Sequence, residues 1–351
     1  MTACSSKSKG VKEKDILVID VGSGTQDILV YQAGQKVENC PKLVMPSRTQ
    51  LVARQIRQAT KERRNIFLYG HLMGGGACST AMREHLAAGL QVYATKQAAY
   101  TFNDNLTKIE RLGIKLTETE PENAVKIWLG DVDLPACQQA LAAFDLALPS
   151  QLAVAVQDHG FNPEGSNRML RISLWQKFIA KSGRLKDLVF TGEIPGVFTR
   201  MKAVREIVPE AIVADTGTAA LLGITTDPAV RPHLAEGIIA VNVGNSHTLA
   251  AAIRGQQVYG LFEHHTKDLD TETLSLLVKR MQNNELTNEE IVNAGGHGAT
   301  FHPEMSPGWD YVVVTGPQRA MAKPLGWYEA APYGDMMLTG CFGLLSGLGV
   351  I

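Results

Sequence analysis

A strand–turn–strand unit is written twice in this chain, far apart, and that repeat limits the folds open to it. The first copy, Asp15 to Tyr31, reads DILVIDVGSGTQDILVY. Two apolar, β-rich runs, Ile16–Ile19 and Ile28–Tyr31, flank glycines, hydroxyls and carboxylates, the pattern of a buried strand, a tight turn and a second strand. The second copy, Ile238 to Ile253, reads IIAVNVGNSHTLAAAI and aligns on Ile16–Tyr31 without a gap, pairing Gly22 with Gly244 and Asp20 with Asn242. Only Ile16, Val21 and Gly22 recur identically; what repeats is the order apolar strand, polar strand end, glycine, hydroxyl-rich turn, apolar strand. Such spacing is not that of a solenoid, whose period is a few tens of residues. It implies two related domains facing each other.

The first turn carries chemistry as well as shape. Gly22 and Gly24 leave the backbone uncovered while Ser23 and Thr25 add hydroxyls, so several N–H groups could converge on an anion such as a phosphate. Asp20, at the strand end, would offer an oxygen ligand to a metal accompanying that phosphate. The alternative is a plain turn. A chain of 351 residues exceeds the usual single-core size and leads us to expect two domains around a cleft. Lys plus Arg (34) nearly balances Asp plus Glu (35), so overall charge predicts neither nucleic acid nor an anionic membrane as partner, and a small ligand fits better. Five scattered cysteines with no C-x-x-C pair argue for a reducing, cytoplasmic setting. Residues 1–14 lack an apolar h-region and read as a disordered tail. Met336 to Ile351 is too short to span a bilayer and reads as a buried terminal helix.

Between the hairpins, strand and helix signals alternate, which indicates an α/β layer with mostly parallel strands. Lys42–Met45 reads as a third strand, Ser47–Arg64 as an amphipathic helix with solvated arginines, and Ile66–Tyr69 as a strand. The glycine loop Gly70–Thr80 then leads to a helix over Ala81–Ala88. That loop either aims N–H groups at an anion or is a simple βα turn; it is not a P-loop, since no Lys-Ser/Thr follows. Asp133 and Pro135 open a helix, and Asp131, Asp158 and His159 fall at strand ends, where ligands of such sheets collect. Ser166–Lys181 is expected to be a helix with Leu170, Leu174, Trp175 and Phe178 inward. Val213–Gly223 is a strand end followed by a helix of small residues suited to a domain interface, and Thr287-x-x-Glu290 is a capping box. Tyr311–Val314 reads as a strand, and the last helix is expected to begin near Gly334-Asp335.

Five segments in order resemble the nucleotide-binding core shared by actin, heat-shock chaperones and sugar kinases: DVGSGTQD (Asp20–Asp27), DTGTAALLG (Asp215–Gly223), NVGNSHT (Asn242–Thr248), VVVTGPQRAM (Val312–Met321) and GDMMLTGCFGLLSGLG (Gly334–Gly349). The whole chain also resembles a prokaryotic family labelled as pyruvate formate-lyase activating enzyme. Radical activases of that name need a C-x-x-x-C-x-x-C run of thiolates. No two cysteines here lie closer than 36 positions, which disfavours that chemistry.

The first resemblance implies an α/β, actin-like (ribonuclease H-like) fold of two lobes, 15–210 and 211–351, with ATP and Mg²⁺ in the cleft between them. Asp20 would hold the metal. Gly22, Ser23, Gly24, Thr25 and Gly244, Asn245, Ser246, His247 would hold the phosphates, and Gly316 and Pro317 would lie against adenine and ribose. Asp215 would be the general base, with Asp158 as the alternate; each could equally be a helix cap or strand-end turn. Asn242 stands where chaperones and actin carry an acid, which tilts the expectation from ATP hydrolysis toward phosphotransfer to a small molecule. The alternatives are a slow nucleotide switch acting on a partner enzyme and a cleft that binds a metal or another metabolite. The last rests on Asn242 and on His247, His264, His265, His297 and His302. Adjacent His264 and His265 on one strand cannot both face one ion, and phosphate contact or simple packing would serve these rings as well.

Overall fold

The computed structural model describes residues 14–351, so the expected N-terminal tail lies outside the described residues except for Lys14. The chain opens with β1 (Ile16–Val21), β2 (Thr25–Tyr31) and β3 (Lys42–Pro46). It continues through a separate parallel sheet of β4 (Ile66–Gly70), β5 (Val92–Ala94), β6 (Ile114–Leu116) and β7 (Val125–Leu129), in spatial order β6-β5-β4-β7. Then β8 (Gln151–Val156), β9 (Val189–Phe190) and β10 (Ile212–Asp215) rejoin the first sheet, whose order is β3-β2-β1-β8-β10-β9. The last sheet holds β11 (Ile238–Val243), β12 (His247–Arg254), β13 (Gln257–His265), β14 (Gly298–Phe301), β15 (Tyr311–Thr315) and β16 (Tyr328–Glu329), ordered β14-β13-β12-β11-β15-β16.

Both large sheets follow one plan. Three antiparallel strands (β3-β2-β1 and β13-β12-β11) continue into two strands parallel to the first of each set (β8-β10 and β15-β16). This is the actin-like, ribonuclease H-like α/β arrangement that the resemblance implied, duplicated as the repeated hairpin led us to expect. All six residues of β1 are buried, as a strand covered on both faces must be.

Two helices join the halves. Thr216–Ile224 packs along Thr339–Gly347, and the small residues permit it: a Cβ on Gly223 would strike the Thr339 carbonyl, and one on Gly343 the Ala219 carbonyl. Residues of Thr339–Gly347 complete the core under β1 and β8, while Leu221, Leu222 and Ile224 pack beneath the second sheet.

The structure corrects several expectations. A division at residue 210 does not follow the sheets: Ile212–Asp215 pairs with β8 of the first sheet, helix Asn167–Lys181 packs on the second, and the terminal helix returns to the first. The terminal helix begins at Thr339, because left-handed Tyr333 and Gly334 and extended Asp335 interrupt the chain before it. The helix after the glycine loop starts earlier than expected, at Gly76, where Thr49 Oγ1 accepts from Cys78 N at 3.0 Å. Arg48 is not solvated; it is buried and paired with Asp133 at 2.8 Å. Helix Asn167–Lys181 turns Arg171, Ile172, Trp175 and Ile179 inward, so its buried face includes a charge that an apolar pattern passes over. The Thr287–Glu290 capping box and the Asp133 cap form as read.

Candidate functional site

The two hairpin turns are closed by the same hydrogen bond, Gly22 N to Thr25 O at 2.9 Å and Gly244 N to His247 O at 3.0 Å. Carbonyls of each turn are tied back into their own surroundings. Ser23 O accepts from Ser47 Oγ (3.0 Å), Gly24 O from Ser47 N (3.1 Å), Gly244 O from Thr266 Oγ1 (2.8 Å) and Ser246 O from Thr266 N (3.0 Å). At the tips, the backbone N–H groups of Ser23, Gly24, Asn245 and Ser246 donate to no acceptor among the described residues. The tips meet through Ser246 Oγ and Ser23 Oγ, 2.7 Å apart.

Both turns line one cleft of about 360 Å³, a size at the lower end of small-molecule sites. Of the residues expected there, Asp20, Gly22, Ser23, Thr25, Gly244, Asn245, Ser246, His247, Gly316 and Pro317 all border it, as do Asp158 and the glycine loop at Gly74–Gly76. Gly24 instead packs on Asn245, whose Nδ2 would lie 2.5 Å from an added Cβ. Gly316 has φ of +101°, and a side chain there would strike the Val243 carbonyl.

A carboxylate pair sits at the base of the first hairpin. Asp20 and Asp27 are cross-strand partners in the β1–β2 register, so they share a face. Thr216 Oγ1 donates to Asp20 Oδ1 at 2.5 Å, whereas Asp27 Oδ1 is buried with no hydrogen-bond partner. Burial, with Asp215's charge adding to it, pushes the Asp20 carboxyl up to about 7. Burial and the neighbouring Asp20 push Asp27 to about 8. Two buried carboxyls with an orphaned oxygen fit a hard cation such as Mg²⁺, which would let both ionise.

Asp215 and Asp158, the two expected bases, have their oxygens engaged. Asp215 Oδ1 accepts from Gly217 N (2.9 Å) and Arg171 Nη2 (3.0 Å), and its Oδ2 accepts from Arg171 Nη1 (2.8 Å) and Asp158 N (3.0 Å). Asp158 accepts from Gly160 N (2.9 Å), Arg200 N (2.9 Å) and Met201 N (3.0 Å), which caps the helix Thr199–Ile207. Asp215 thus caps the helix Thr216–Ile224, and Asp158 holds the first N–H groups of Thr199–Ile207. Arg171 also gives Nε to Glu263 Oε2 at 2.7 Å, and its charge holds the Glu263 carboxyl well below the usual range against the cost of burial. Arg200 pairs with Asp131 through 2.7 and 2.8 Å bonds.

Histidines gather beside the second turn. One ring nitrogen from each of His159, His247 and His297 lies within 4.8 Å of the others. The His265 ring stands 5.0 Å from His247 and 4.9 Å from His297. His264 points away, its Nδ1 3.1 Å from the His265 carbonyl oxygen, as strand alternation requires, and His302 packs on Tyr259. Desolvation lowers the imidazoles, His247 to about 4 and His297 to about 3.

Sequence reasoning did not single out Asp27, Arg171, Glu263 or Arg200. For Asp27 the signal existed, since hairpin register places it opposite Asp20. For Arg171 none did: its partners are 44 and 92 positions away.

Solved structures with a similar course include a Bacteroides thetaiotaomicron VPI-5482 protein with actin-like ATPase fold and unknown function, at 8% identity, 95% of this chain, 97% of that one and TM-score 0.37. The activator of the 2-hydroxyisocaproyl-CoA dehydratase from Clostridium difficile with bound ADPNP is 9% identical over 95% of this chain and 94% of that one, with TM-score 0.33. Ethanolamine utilization protein EutJ from Carboxydothermus hydrogenoformans is 12% identical over 93% and 88%, with TM-score 0.31. A comparison with curated proteins finds no match. The match that covers residues 73–321, more than half of the chain and most of the cleft described above, is to a sequence family, and the chain belongs to it: "Putative pyruvate format-lyase activating enzyme (DUF1786)".

Proposed function

We propose that the cleft binds ATP with Mg²⁺ and transfers the γ-phosphoryl group to a small-molecule acceptor. The observation that carries this reading is the pair of turns with matching closure and unclaimed N–H groups, brought tip to tip across one cleft. Phosphate oxygens would accept from Ser23, Asn245 and Ser246, an arrangement that backbone nests provide for anions. Asp20 and Asp27 would hold Mg²⁺, which supplies charge neutralisation to the transferring group. Gly316, held bare by its conformation, and Pro317 offer a flat edge for the nucleoside.

Phosphoryl transfer asks chiefly for positioning and electrostatic stabilisation. The Asp215 carboxylate serves it as a positioning residue through Arg171, whose guanidinium borders the cleft. A specific observation also favours the second reading, a slow nucleotide switch acting on a partner enzyme. Asp215 has all four acceptor sites filled and does not border the cleft, Asp158 there has three of its four filled, and Asn242 stands at the second strand end where the first hairpin carries Asp20.

The test is a thermal-shift panel of ATP, ADP and GTP with and without Mg²⁺, followed by γ-phosphate tracking over candidate acceptors. Ligand at a hundred times its Kd adds about 2.7 kcal/mol of stability, so binding will be plain. A labelled small product supports transfer; tight binding with turnover slower than about one per minute, against the usual 1–100 per second for kinases, supports the switch. No stabilisation by any nucleotide removes both.

A further inference from the structure

We propose that His159, His247 and His297 bind a divalent transition-metal ion of the zinc or cobalt type, clamped between the two halves of the molecule. This site shares no residue with the carboxylate pair of the first hairpin, and it stands whether or not the cleft takes a nucleotide. His159 follows β8 of the first sheet, whereas His247 opens β12 and His297 precedes β14 of the second. An ion held by all three joins elements that no single sheet connects.

Three features of the cluster lead there. The nitrogens converge: one from each ring lies within 4.8 Å of the other two. Zinc holds imidazole at about 2.0–2.1 Å, which places ligand nitrogens about 3.4 Å apart in a tetrahedron, so small side-chain rotations close the set. Next, the nitrogens are unclaimed. His297 Nδ1 is buried without a hydrogen-bond partner, and the nearest carboxylate oxygen, Glu263 Oε1, is 3.8 Å away. His265 Nε2, on the ring beside them, is likewise buried and unpartnered. Buried polar atoms are normally satisfied, and an orphan calls for an ion or a water.

The third observation is the surrounding charge. Imidazole suits zinc, copper, iron and nickel, and carboxylates suit magnesium and calcium; the cluster and the Asp20–Asp27 pair thus differ in kind. Glu263 lies beside His297 Nδ1 but is held by Arg171 at Oε2 and by Gln157 Nε2 at Oε1, so it supplies a nearby negative charge without a free ligand oxygen. Arg171 is itself compensated by Asp215 and Glu263. Burial keeps the rings unprotonated at neutral pH, with lone pairs available. His159, His247 and Glu263 border the cleft, so a three-histidine ion would keep a fourth position for an oxygen ligand entering from it.

The test uses tag-free, full-length protein stripped with chelator and titrated with Co²⁺. The expected result is one equivalent bound with the visible absorption of tetrahedral cobalt, bleached by Zn²⁺. His159→Gln and His247→Gln should each weaken binding by more than about 100-fold, since losing even an outer-shell partner costs about 10–100-fold. His302→Gln, outside the cluster, should leave it unchanged. Thermal melts in chelator check that the variants fold. If one melts early, ring-nitrogen NMR of the parent decides, because Zn²⁺ must move the His159, His247 and His297 signals and not His302. Absence of stoichiometric cobalt absorption, or the same absorption in both cluster variants, overturns the proposal. ATP affinity with Mg²⁺, measured on the same samples, reports on the nucleotide reading separately.

Discussion

Asp27 is the residue whose environment is hardest to understand without a ligand. Its carboxyl and that of Asp20 titrate near 8 and 7 in the folded protein, against about 4 in an unfolded chain. The folded state therefore keeps protons that the unfolded chain has released, and the pair's contribution to stability falls as pH rises from about 4 to about 8. The lowered histidines act oppositely below about pH 6.5, so the pair is read above it: metal-free protein should melt lower at pH 8 than at pH 7. Mg²⁺ should recover much of the loss at pH 8, and Asp27→Asn should flatten the slope; calorimetry across pH reads all three. Arg171 poses the reverse case. Removing its guanidinium, as in Arg171→Met, leaves Asp215 and Glu263 buried and uncompensated, a change that costs about 3–5 kcal/mol. Urea denaturation should show a loss of that order, with Arg171→Lys intermediate because an ammonium cannot make the bidentate pair.

At the scale of elements, hairpin tips and crossing helices set the geometry of the cleft. The Ser23–Ser246 bond joins the tips, and a typical hydrogen bond nets about 1 kcal/mol. Ser246→Ala should thus open the tips slightly, lower stability by no more than about that amount, and speed nucleotide association in stopped-flow measurements. Gly343→Ala puts a methyl against the Ala219 carbonyl. Overpacking of this kind costs about 1–3 kcal/mol, which should appear as a lowered urea midpoint with the m-value unchanged.

These elements also show what a sequence can disclose. Both hairpins were legible because their information is local: period, strand-end polarity and turn residues lie within sixteen positions. Caps at Asp133 and Thr287 were legible for the same reason. The terminal helix was placed too early because apolar composition runs through Met336 and Met337, whereas its start is set by the backbone at Tyr333 and Gly334. The face of Asn167–Lys181 was misjudged because Arg171 is a buried charge whose compensation comes from β10 and β13. His159, which follows β8, went unseen in the ring cluster for a similar reason, since its partners come from the second sheet.

For the whole molecule, connectivity matters more than the count of strands. The halves exchange helices, so neither is an independent folding unit in the sense of its own complete core. Closing the cleft on a ligand should therefore appear as one cooperative change. Small-angle scattering should give a smaller radius of gyration with Mg²⁺ and a non-hydrolysable ATP analogue, and limited proteolysis should slow at 70–80 and 244–247 together. If only one of these segments gains protection, the hairpins do not act jointly. Among the described residues no helix is long and apolar enough to cross a membrane.

The return of the terminal helix to the first sheet has a further effect during biosynthesis. Leu338, Cys341, Phe342, Leu344 and Leu345 fill space against Ile16, Val18 and Leu29, so the first-hairpin strands wait for a helix made far later in the chain before their interior is complete. Until then those strands offer bare apolar surface to any chaperone or neighbouring nascent chain.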